Sequence, residues 1–125
     1  MSTFSLSRAQ AALFVLIVLQ LVMLGALYAQ IAPHPPRVIP LFALAPFLGA
    51  SIAIAGAAFL LGGTQSGIGL LTGVLAALMA LVSFGPHKWF DPAIGEIWPA
   101  VLVAEIAVIV LAIDTYRARP TRRAE

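Results

Sequence analysis

Four continuous apolar runs, at about 9–32, 41–62, 67–85 and 97–116, are separated by short breaks rich in proline, glycine and polar residues. A helix rises about 1.5 Å per residue, so roughly 20 residues cross a hydrocarbon core about 30 Å thick. Each run is near that length. The runs do not alternate apolar with polar positions as a barrel strand would, and lipid tolerates only structures that satisfy their own backbone groups. The pattern predicts an all-α integral membrane four-helix bundle, a single domain of up-down-up-down topology with both termini on one side.

The breaks support those boundaries. Ser7-Arg8-Ala9-Gln10 has the spacing of a capping box, in which the Ser hydroxyl and Gln amide satisfy exposed N–H groups at the start of the first helix. Pro33-His34-Pro35-Pro36 removes donors and fixes φ, so no helix is expected to pass through it. Pro40 suits the opening turn of the second helix, and Pro46 is expected to loosen it one turn later. Gly62-Gly63-Thr64-Gln65-Ser66-Gly67 reads as a tight uncharged turn between two paired helices. Gly85-Pro86 is expected to close the third helix, and Trp98-Pro99 to open the fourth.

Composition excludes the soluble alternative. Hydrophobic residues make up 62% of the 125 and charged residues 10%, and a folded surface of this size cannot hide so much apolar area from water. The bilayer is therefore the first partner. There is no cysteine, which removes thiolate chemistry and disulfides. Arg8 and the tail arginines Arg117, Arg119, Arg122 and Arg123 oppose Arg37 and Lys88, a bias that predicts cytoplasmic termini, with 117–125 as a short basic tail and the bacterial inner membrane as the location. A basic cluster beside a membrane helix reports topology more readily than nucleic-acid binding. The first run exceeds a signal-peptide core and lacks a small-x-small cleavage site, which favours a retained helix.

Against this background Glu105 stands out, since every other residue of 98–113 except Pro99 is apolar. An acid near a helix centre costs about 2.5–3.5 kcal/mol on insertion scales, which makes it a functional candidate. Gln20, the one strongly polar residue deep in the first run, is the economical partner for it. Glu105 then serves as a staple between helices or to another subunit, as a proton- or cation-coupled site, or as a contact for a pigment, quinone or other ligand. Asp114 and Arg117 are spaced for an i, i+3 ion pair. His34 and His87 fall in the two outer loops, where with Asp91 or Glu96 they suggest metal, haem or pigment ligation; without a ligand spacing, solvated loop histidines are the simpler reading, and the cofactor stays unknown.

Small residues recur every four positions at Ala45, Gly49, Ala53 and Ala57, and again at Gly69, Gly73 and Ala77. Helices in lipid associate by close backbone approach, so both stripes predict packing seams. The outer stretch 86–96 gathers His87, Trp89 and Asp91, with Trp98 just after it, as interfacial anchors or contacts for a partner.

No catalytic ordering of Ser, His and Asp, no paired acids, no cofactor fingerprint and no metal cluster is present, so the expectation is a protein that is not an enzyme. The primary reading is a structural or accessory subunit of a larger membrane complex, bound to a membrane-protein partner or to copies of itself. The alternatives are an oligomeric proton-coupled carrier or channel using Glu105, and cofactor holding through His34 and His87. In size and helix number the chain resembles the small multidrug resistance transporters. Their membrane glutamate lies in the first helix, where this chain has Gln20, so that activity is not carried over.

Overall fold

The computed structural model describes residues 6–29, 41–91 and 94–124, with side chains described from 6–29, 44–91 and 94–118. Four α-helices form it: α1 Arg8–Ala29, α2 Leu41–Leu60, α3 Gly67–Phe84 and α4 Ile94–Ala124. Short 3-10 turns at Gly63–Gln65 and Pro86–Phe90 flank α3. Among the described residues no strand occurs. Three helical stretches, Arg8–Ala29, Gly67–Phe90 and Ile94–Ala118, are long and apolar enough to cross a membrane, whereas Leu44–Leu60 is shorter.

The start of α1 forms as the capping box predicts. The Gln10 backbone N–H donates to Ser7 Oγ at 3.1 Å, and the Ser7 N–H donates to Gln10 Oε1 at 3.1 Å. The Gln10 side chain also donates through Nε2 to the Phe59 carbonyl at 3.1 Å, which ties the start of α1 to the end of α2. One side chain therefore closes a helix terminus and sets the register between two helices.

The α2–α3 connection is made by Gly62 and Gly63, with φ of 86° and 64°, a region that a Cβ disfavours. Ser66 then caps α3, accepting from the Gly69 N–H at 2.9 Å and donating to the Leu61 carbonyl at 3.0 Å. Gly69 itself is required by proximity, because a Cβ there would collide with the Gly63 carbonyl.

The four helices pack in a ring: α1 touches α2 and α4, α3 touches α2 and α4, and α2 lies diagonally across from α4 without reaching it. Leu13, Leu16, Leu48, Val101 and Leu111 fill the centre, with Ala55, Ala58, Ala76, Ala80 and Ala104 between them. Alanine at the contacts lets the backbones approach closely, and close packing is what holds helices together in lipid.

Several sequence expectations need correction. The fourth helix starts at Ile94 rather than at Trp98-Pro99, so Pro99 sits inside its second turn, and it continues through the arginines of the basic tail. Pro46 lies inside α2, where it was expected, and the helix continues past it. Gly85-Pro86 ends α3, yet the following 3-10 turn prolongs the same apolar stretch to Phe90. The Gly69 and Gly73 stripe is buried inside the bundle, but Gly49, Ala53 and Ala57 are exposed on its outside. The reason is angular. The core-facing side of α2 is Leu48, Ser51, Ala55 and Ala58, and each residue turns the helix by about 100°, which puts Gly49, Ala53 and Ala57 on the far side.

Candidate functional site: the polar groups of the bundle

On α4, Val101, Ala104 and Leu111 point into the core. Glu105 follows Ala104 and so lies about 100° round the helix, on the flank, where it is half-buried. There its Oε2 accepts a hydrogen bond from the Trp89 indole Nε1 at 2.9 Å. Trp89 comes from the 3-10 turn Pro86–Phe90 and is 39% exposed. An indole has one donor and no acceptor, and a carboxyl oxygen accepts, so the pair is complementary. The bond fastens the turn to α4 and gives the acid of this apolar helix a partner.

Gln20 is elsewhere. It is completely buried, and neither its Nε2 nor its Oε1 has a hydrogen-bond partner. The expected Gln20–Glu105 pair is therefore not formed: Gln20 points into the centre of the ring, Glu105 to its flank. Two serines share the condition of Gln20. Ser51 on α2 is fully buried and Ser83 on α3 is 5% exposed, and both hydroxyls lack partners. Unpaired buried polar groups cost about 1–3 kcal/mol each. Ser83 also lines a cavity of about 280 Å³ between α1, α3 and α4, walled by Leu19, Met23, Phe84 and Val101, with Glu96 also on its lining.

At the other end of α4, Asp114 pairs with Arg8 of α1 at 3.6 Å, not with Arg117 on its own helix. The Asp114 side chain is only 14% exposed against 69% for Arg8. The contact joins the start of α1 to the last part of α4.

The remaining candidates are dispersed. His87 is exposed on the 3-10 turn, Asp91 is half-buried just beyond it, and Trp98 is 48% exposed on α4. His34 lies outside the described residues, so its approach to His87 has no geometry. Among the described residues no three His, Asp or Glu side chains gather as metal ligands.

Sequence reasoning missed both cross-element pairs. Arg8 and Asp114 are more than 100 positions apart, and only the packing of α1 on α4 brings them together. The Trp89–Glu105 bond was hidden by the expectation that Gly85-Pro86 carries the chain out of the apolar layer. Ser51 could have been found as the sole hydroxyl of the run 41–62, and Ser83 as one of two, with Thr72, in 67–85. Compared with known proteins, the chain matches no family model, no curated sequence and no solved structure.

Proposed function

We propose that this chain is an accessory subunit of a larger membrane complex, a non-catalytic bundle that docks through the outer face of α2. The observation that carries this reading is the outward stripe of Gly49, Ala53 and Ala57. A Cβ built at Gly49 meets nothing within 4 Å, so the backbone there is open to a neighbour. A lipid tail gains little from such a surface, whereas a partner helix gains van der Waals contact and close backbone approach. The same small-residue chemistry closes the interior at Gly69, Gly73 and Ala76, leaving the α2 face as the equivalent surface without an internal partner.

The proposal includes four crossings in up-down-up-down order, with both termini in the cytoplasm and the inner membrane as the site. Support comes from two contacts at the start of α1, Gln10 to the end of α2 and Arg8 to the late part of α4, together with the arginine bias of the sequence. Purification in mild detergent tests the subunit reading. A partner should co-purify with the wild type, and Gly49→Leu with Ala53→Leu should release it while the bundle stays folded. A wild-type chain that migrates alone from freshly solubilised membranes overturns it.

Glu105 sustains a second reading, a proton-coupled carrier assembled from several copies. Its half-buried position on the flank, beside a hydrogen-bonding indole, leaves it reachable from outside the bundle. Reconstituted vesicles decide this: proton-driven flux that vanishes in Glu105→Gln favours the carrier, and absence of flux from the wild type removes it.

A further inference from the structure

We infer that the groove between α1 and α4 is a binding site for an anionic phospholipid, with an acyl chain in the groove and the phosphate on Arg8. The groove holds about 310 Å³ and is lined by Ala11, Ala12 and Val15 of α1 and Val103, Ala107 and Val110 of α4. Arg8 stands at one end and is the only charged group among the described residues of its walls. From Arg8 to Val15 the groove extends about 10 Å along the helix. That is the arrangement of a lipid at a membrane boundary: a cation where the span begins, then a narrow apolar trough leading inward. The groove shares no residue with the outer face of α2.

Charge identifies the occupant. Arg8 is the first residue of α1, its side chain is 69% exposed, and its one contact with Asp114, at 3.6 Å, is longer than a hydrogen bond. A guanidinium carries five N–H donors in a planar fork, so most of them remain directed at solvent or headgroup, in the geometry that grips a phosphate. Asp114, itself mostly buried, holds the guanidinium across the α1–α4 junction and so over the mouth of the groove. Arg117 is exposed one turn further on, so the described arginines at this end of the bundle outnumber Asp114. A headgroup without an amine matches that field better than a zwitterion. A partner helix in the same groove would have to supply an acid for Arg8, which a lipid phosphate supplies at the correct depth.

The test uses the full chain purified in an uncharged detergent and offered phosphatidylglycerol or phosphatidylcholine with identical acyl chains, with retention read by native mass spectrometry. One arginine near the surface predicts about a fivefold preference for the anionic lipid. Arg8→Gln should abolish it. Because that change leaves Asp114 alone, Ala11→Phe serves as the second variant: it keeps both charges, fills the groove from an exposed position, and should also abolish the preference. Equal retention of the two lipids by the wild type overturns the inference. So does a preference that survives in Ala11→Phe, which would place it on the tail arginines. Thermal protection by inorganic phosphate equal to that by the lipid would likewise overturn it, since no acyl groove would then be involved. A photoreactive label at Val103 in native membranes should yield lipid adducts; protein adducts there also refute it.

Discussion

Replacing Trp89 by Phe removes the indole donor and leaves the Glu105 carboxylate without the bond seen at 2.9 Å. In water-soluble proteins a hydrogen bond to a charged group contributes about 1.5–3 kcal/mol. Interhelical bonds within membranes average nearer 0.6 kcal/mol and reach about 1.7, because the separated helices also find partners. Both side chains here are partly exposed, so the expected loss is about 0.5–1.5 kcal/mol. Glu105→Gln keeps an acceptor oxygen and should cost less. Glu105→Leu removes the demand for a donor, so Trp89→Phe on that background should cost almost nothing. The discriminating quantity is the coupling energy of the Trp89→Phe, Glu105→Leu cycle, measured by reversible unfolding in mixed micelles. Tryptophan emission in a Trp98→Phe background, where Trp89 is the sole tryptophan, reports the same bond directly. Additivity within about 0.3 kcal/mol would refute the tether between the 3-10 turn and α4.

Further outcomes concern the core. Gln20→Leu removes an amide that has no partner, so the bundle should gain about 1–3 kcal/mol in the same unfolding assay; a loss of stability would mean that the amide is paired. Ser83→Ala should be neutral or slightly stabilising by the same logic. Gly69→Ala should destabilise by about 1–3 kcal/mol, since its Cβ meets the Gly63 carbonyl, whereas Gly73→Ala should be tolerated because its nearest neighbour, Leu111 Cδ1, would lie at 3.9 Å. Equal effects at the two glycines would contradict the α2–α3 turn geometry.

Hydropathy and turn chemistry made much of this architecture legible. Ser7 and Gln10 announce their own helix start, and Gly62 and Gly63 mark a turn that needs positive φ. Both signals are local, and local chemistry decides them. Which side of a helix faces inward is a different matter when nearly every residue is apolar. In α2 a stripe of small residues and a stripe of mixed Leu, Ser and Ala are both compatible with burial, and only the placement of α1 and α3 selects the second. The sequence pairing of Gln20 with Glu105 failed for the same reason, since the side of each helix that faces inward was not readable. Asp114 met Arg8 instead of Arg117 because a neighbouring helix end offered the acid a partner that helical spacing alone does not reveal.

The decisive measurement exploits the absence of cysteine from the chain. Single cysteines at Ala53 on the outer face of α2, at buried Ala55, and at Ile109, which is 57% exposed on α4, would carry a short photoreactive label in native membranes. If the α2 face is the docking surface, Ala53→Cys forms a discrete protein adduct, Ile109→Cys reacts with lipid, and Ala55→Cys labels poorly. Lipid adducts alone at Ala53, or full labelling at Ala55, would contradict the docking face or the fold that creates it.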